Sequence, residues 1–220
     1  METVLDKVIE RFYQDDTIEL TLEEELIIVD SLIPENDYIA CGSSRAVYQL
    51  GDKYVVKIAM STGGINQNKV ERDFYAEHKE SGCFAHLYAY GKMINVMELL
   101  EDCEYHDADD VEYYAQEEAE RGDCDFYCIL ADLIGSANYL TNYYGGDNGQ
   151  IGYSPMSKSW VLYDYGYSMD YDRDDIVDNV DYWIYAICPV ENALEVLNGG
   201  EVKTPDELQD MAEAYFDGKE

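Results

Sequence analysis

The chain has 220 residues, 47% of them hydrophobic, and carries 48 acids against 14 bases for a net charge of −34. That apolar content is enough for one sizeable core, or for a small lobe beside a larger one, and excludes a disordered tail. The charge repels DNA, RNA and anionic membranes and attracts basic partners at rates that fall with salt. No apolar run approaches the length of a bilayer span, and the charged, amphipathic N-terminus lacks the apolar stretch of a signal peptide. The reading is therefore a cytoplasmic protein, in the host cytosol if the chain is viral, with neither nucleic acid nor membrane as a direct partner.

In chain order, residues 1–34 read as two helices. Val4, Val8, Ile9 and Phe12 recur at helical spacing, and Thr21 with Glu24 forms a capping box ahead of "LEEELIIVDSLI". After Pro34 the pattern turns to strands: "DYIACGSSRAVYQLGDKYVVKIAM" has Gly51 and Asp52 between two β-rich runs, the signature of an antiparallel hairpin. A helix follows over "NQNKVERDFYAEHKES", stopped by Gly82, and then two strand-like runs, "AHLYAYG" and "INVMELLE". Beyond residue 101 the chain becomes acidic, tyrosine-rich and helical in tendency, with "VEYYAQEEAERG" and "FYCILADLIGSANYLTNYY" as the best helices. Thr204, Pro205 and Glu207 supply the cap, first-turn proline and capping-box acid of a last helix. The expected organisation is N-terminal helices over 1–34, a small sheet-containing lobe over 35–100 and an acidic, mostly helical lobe over 101–220. Residues 1–100 carry 18 acids and 9 bases, whereas residues 101–220 carry 30 acids and only 5 bases. The six cysteines, without a CxxC pair, read as free, mostly buried thiols of a reducing compartment.

Strands around a glycine turn, a lysine in the next strand, a helix bearing an acid and two more strands ending at a hinge resemble, taken together, the small lobe of a protein kinase, above all the short kinase-like proteins of bacteriophages and bacteria. The resemblance covers roughly residues 36–170 and implies a two-lobed α+β fold. It sets Gly42, Ser43 and Ser44 as a glycine loop with Val47 beneath the base, and Lys57 of "VVKIA" on the nucleotide phosphates. Glu71, with Glu77 as the lesser alternative, would orient that lysine, and "VMELLE", including Glu98, would be the hinge whose backbone faces adenine. A strand-borne lysine needs such a carboxylate to hold its flexible stem toward a phosphate.

In the same way "VLYDYGYS" resembles the metal-binding strand and turn, with Asp164, Tyr165 and Gly166 where the family carries Asp-Phe-Gly. Asp164 would then ligate Mg²⁺ bridging the phosphates of ATP. The catalytic loop departs from the pattern. In "TNYYGGDNGQIGYSPMSKS", Gln150 takes the second metal-ligand position, and the residue five before it is Gly145, which cannot accept a proton. Asp147 or Asn148 would serve as base only in a rearranged loop. A missing base typically forfeits about 10²–10⁴ in rate, so the resemblance implies a degenerate kinase with doubtful phosphotransfer.

Other patterns carry less. "DCEYHDADDVE" and "MDYDRDDIVD" alternate acids as calcium loops do but lack the central glycine and the closing glutamate, and His78, His86 and His106 show no zinc or nucleophile spacing. The 22 tyrosines, many set among acids, suit either a half-exposed core or a contact surface in which carboxylates stand in for phosphates. The composition is similar to that of small acidic decoys encoded by phages. Two functions are expected from these observations. One is a host-directed inhibitor that binds a basic, nucleic-acid-handling host protein through an acidic, DNA-mimicking surface. The other is an active serine/threonine kinase that uses Lys57, Glu71 and Asp164, with an unorthodox base near Asp147.

Overall fold

The computed structural model describes residues 3–13, 17–42, 44–82, 84–101, 103, 151–165 and 188–217. Two capped helices open the chain. In α1 (Val4–Arg11) the Thr3 hydroxyl accepts from the Asp6 N–H at 3.1 Å, and the Asp6 carboxylate accepts from the Thr3 N–H at 2.7 Å. Thr21 and Glu24 repeat the arrangement at the start of α2 (Leu22–Ser31), where the sequence expects it.

The expected hairpin forms as β2 (Tyr38–Cys41), β3 (Arg45–Leu50) and β4 (Tyr54–Ala59), turning at Gly51, whose φ of 63° favours glycine. Helix α3 (Thr62–His78) follows and passes into a 3₁₀ turn (Lys79–Ser81) that ends on Gly82 in the left-handed region. β5 (Leu87–Tyr90) and β6 (Ile94–Glu98) complete the main sheet. Its order is β1-β5-β6-β4-β3-β2, with β1 (Ile18–Glu19) added parallel to β5 at one edge. The described architecture is thus α+β, a mostly antiparallel six-stranded sheet with helices.

β7 (Ile151–Ser154) and β8 (Ser159–Leu162) form a separate hairpin. Part of the stretch read as a catalytic loop is therefore β-structure. α4 (Pro189–Leu197), which the sequence reading passed over, has Pro189 in its first turn, and α5 (Pro205–Asp217) begins at the expected Thr204–Glu207 cap. The described residues fall into two compact units, one from those up to 69 with 87–97 and 188–217, the other from 70–86, 98–101, 103 and 151–165.

In the first unit, strand alternation sends Tyr48, Val56 and Ile58 of β3 and β4, with Ile94 and Val96 of β6, into a core shared with Ile28 and Val29 of α2 and with Val190, Ala193 and Val196 of α4. Full burial of one such side chain contributes about 1.5–3 kcal/mol. α4 is tied to the sheet by Asn192, whose amide donates to the Met60 carbonyl at 3.1 Å and accepts from Lys203 at 2.7 Å. One acid also joins this apolar packing. Glu25 shares the α2 stripe with Ile28, Val29 and Leu32, is 1% exposed, and accepts the N–H groups of Lys92 and Ile94, each at 3.0 Å, and of Met93. Burial pushes its carboxyl above the usual range, against the pull of those three donors.

Among the described residues no helix is long and apolar enough to cross a membrane. Among the described residues Cys41, Cys103 and Cys188 are free thiols, but Cys41 and Cys188 are only half-buried and Cys103 is exposed, where the sequence suggested buried ones; partial burial pushes the Cys41 thiol up to about 12.

Candidate functional site

The second face of the main sheet mixes polar and apolar groups, and within the first unit the start of α3, residues 62–69, packs against it. In the β3–β4 ladder Arg45 stands opposite Ala59 and Val47 opposite Lys57, so these four share the face opposite to Tyr48, Val56 and Ile58. Along α3 the buried positions are Gly63, Gly64, Gln67, Asn68, Glu71 and Tyr75, and past the two glycines the stripe is made of side chains that need polar partners. Asn68 finds three. Its amide oxygen accepts from Arg45 Nη1 at 3.2 Å, its amide nitrogen donates to the Met93 carbonyl at 3.1 Å, and its backbone carbonyl accepts from Asn95 Nδ2 at 3.0 Å.

Gly64 allows the close approach. A Cβ there would lie 2.2 Å from the Ser44 carbonyl oxygen and 3.0 Å from Ala59 Cα. The turn carrying the expected glycine loop is drawn tight beside it, the Gly42 N–H donating to the Arg45 carbonyl and the Met60 N–H to the Ser44 carbonyl. Gly42 is exposed, Ser44 buried, and Ser43 lies outside the described residues. Lys57 is only 5% exposed, an unusual environment for a lysine and one that a solvent-facing strand lysine does not have.

In the second unit, Glu71 is fully buried on α3 and Glu77 is exposed, which separates the two candidate helix acids. Glu98 ends β6. Its N–H donates to the His86 carbonyl at 2.9 Å, and its carboxylate accepts the Ser154 hydroxyl at 2.6 Å. Within this unit the side chain therefore ties Glu98 to Ser154 of the β7–β8 hairpin, a role that the hinge expectation did not include. Next to this tie, the Tyr75 hydroxyl meets His86 Nδ1 at 2.6 Å.

Asp164 follows β8 half-buried, with φ of 55°. A left-handed non-glycine residue is uncommon, and Asp is among the few that tolerate it. What fixes it is its neighbour: Tyr165 is 2% exposed, donates to the Ala85 carbonyl at 3.1 Å, and packs on Phe74 and Phe84 with ring centroids 5.8 and 5.0 Å away. The Ala85 N–H in turn donates to the Leu162 carbonyl at 2.9 Å. The carboxylate of Asp164 is thus carried on a braced turn at the end of a strand, as a metal ligand needs to be.

Lys57 falls in the first unit, and Glu71, Glu98 and Asp164 in the second. Asp147, Asn148, Gly145, Gln150 and Gly166 lie outside the described residues, as do "MDYDRDDIVD" and nearly all of "DCEYHDADDVE". Among the described residues no three His, Cys, Asp or Glu side chains group to hold a metal by themselves. Sequence reasoning missed Arg45, Gln67, Asn68 and Asn95. The signal available for the α3 pair was a helix whose inward stripe is polar where an ordinary core helix is apolar. No protein-family model matches the chain, and no curated protein and no solved structure matches it.

Proposed function

We propose that this is a two-lobed, protein-kinase-like protein that binds ATP with Mg²⁺. The observation that carries the reading is the buried lysine. Lys57 stands on an inner strand of a sheet in which glycine turn, lysine strand, acid-bearing helix and two further strands follow in the order the family uses. Support comes also from Glu71, the buried one of the two helix acids, and from Asp164 on its braced left-handed turn. In this reading Lys57 receives the phosphates, Ser44 closes the loop over them, and Glu71 keeps its proposed role as the helix acid. Asp164 is the residue that would hold Mg²⁺ with the phosphate oxygens, since Mg²⁺ is commonly held by one or two carboxylates plus phosphates; Gln150 and Asp147 keep their proposed metal and base roles. The metal would neutralise charge on the phosphates. Equilibrium binding of ATP to the wild type and to Lys57→Ala, with thermal unfolding as the control for folding, tests the reading. Loss of binding in a folded variant is expected, and equal affinity would sink it. If transfer to serine or threonine also occurs, the same variant abolishes it.

A second reading rests on charge. The 30 acids and 5 bases of residues 101–220 favour a host-directed inhibitor that covers the nucleic-acid groove of a basic host protein. Competition with DNA for such a protein, repeated across salt concentrations and with acids of 101–220 neutralised, is the test. Inhibition that ignores both salt and neutralisation would refute the decoy.

A further inference from the structure

The inward stripe of α3 contains two amides side by side, and only one of them is used to dock the helix. Asn68 spends its amide on Arg45 and the Met93 carbonyl. Gln67, equally buried at 2% exposure, has an amide nitrogen with no hydrogen-bond partner. The hydroxyl of Ser44, a residue 1% exposed, has none either. A buried donor without an acceptor is costly, and native chains retain one chiefly where a ligand, ion or water supplies the acceptor.

The two residues stand on neighbouring parts of the first unit. Gly64 abuts the Ser44 carbonyl and Ala59, and Gln67 is the next turn of the same buried stripe. Lys57 shares a face with Ala59 two residues along β4, a strand rise of about 7 Å, and Arg45 stands opposite Ala59. An amide N–H₂, a hydroxyl and an ammonium can each donate, and the ammonium adds positive charge. The complementary ligand offers acceptors only and carries negative charge, which describes a phosphoryl group.

We propose that Gln67 and Ser44 form, with Lys57, a cradle for a phosphoryl group. The proposal rests on the nucleotide reading above and adds to it Gln67, a residue that no motif marked. The donors recognise phosphoryl oxygens whether these belong to a nucleotide or to free polyphosphate.

The experiment uses the full chain as wild type, Gln67→Met, which keeps the volume and removes the amide, and Ser44→Ala, each titrated calorimetrically with ATP plus Mg²⁺ and with pyrophosphate. Gln67→Met is expected to unfold no earlier than the wild type, because an unsatisfied donor has gone, yet to bind ATP about 10-fold or more weakly. Ser44→Ala is expected to show the same crossing of stability and affinity. Wild-type binding of ATP far tighter than of pyrophosphate identifies a nucleotide as the source, and comparable binding identifies polyphosphate; both support the cradle when the variants weaken them. Unchanged affinity in the two variants overturns the cradle and leaves the nucleotide reading standing. A Gln67→Met protein that loses stability marks Gln67 as a packing residue and also overturns it. A wild type that binds neither probe overturns both proposals.

Discussion

Gly64→Ala tests whether α3 is seated on the sheet as closely as described. Ordinarily the change favours a helix by about 1 kcal/mol. Here the new Cβ would lie 2.2 Å from the Ser44 carbonyl oxygen, 3.0 Å from Ala59 Cα and 3.1 Å from Ala59 Cβ. The nearest atoms are backbone on both sides, so no rotamer relieves the overlap, and helix or turn must move by about 1 Å to restore a normal contact near 3.5 Å. Overpacking of this kind typically costs 1–3 kcal/mol and sometimes more; a rigid backbone neighbour puts Gly64 at the upper end. Net of the propensity gain, the expected loss is about 2 kcal/mol, or roughly 4–8 °C in Tm for a chain of this size. Urea and thermal unfolding of the variant, beside Asn66→Ala on the exposed side of the same helix, give the measurement. Asn66→Ala should change little. A Gly64→Ala protein as stable as the wild type, or more stable by the propensity increment, would refute the close seating and with it the geometry assigned to Gln67 and Asn68.

Two further outcomes follow from buried carboxylates. Because the folded-state pKa of Glu25 lies above its ordinary 4.5, its contribution to stability is fully present below that value and is lost as pH rises through the folded pKa. Glu25→Gln, which turns an N–H₂ toward the donor N–H groups, should therefore cost about 1–2 kcal/mol at pH 4, and the gap from wild type should narrow as pH rises. A gap that widens in urea titrations across pH 4–7 would show that the three backbone donors outweigh burial. Ser154→Ala removes the hydroxyl bound to the Glu98 carboxylate at 2.6 Å and should cost about 1.5–3 kcal/mol, the range for hydrogen bonds to charged groups. An unfolding free energy within 0.5 kcal/mol of wild type, about what a neutral surface change gives, would refute the tie.

The parts of this fold that local chemistry specifies are legible in the sequence. Thr21 with Glu24 and Thr204 with Glu207 mark helix starts because cap and backbone sit within four residues of each other. Gly51 and Gly82 mark stops because the chain needs positive φ there. What depends on distant partners is not legible in the same way. β1 has two residues and exists only by pairing with β5. Glu25 reads as one of three solvated acids until Gly91 is seen to leave room for its carboxylate, the Cδ lying 2.5 Å from where a Cβ would stand. Its place at i, i+3, i+4 and i+7 with Ile28, Val29 and Leu32 was the usable clue. α4 gave a similar clue, Pro189 followed by Val190, Ala193, Val196 and Leu197, masked by the acidic background. Lys57, Glu71 and Asp164 are legible as residue types in an order, whereas Gln67 is set apart by an amide nitrogen without a partner, and a missing partner has no signature in sequence.

Calorimetric titration of ATP, with and without Mg²⁺, into the wild type and Asp164→Asn tests the proposed nucleotide binding and the proposed metal-holding role of Asp164. Asparagine tolerates the left-handed backbone of Asp164 and removes only the charge. The expected result is ATP binding that Mg²⁺ strengthens in the wild type and no longer strengthens in the variant. A wild type that takes up no ATP, or a variant with the full Mg²⁺ effect, would contradict it.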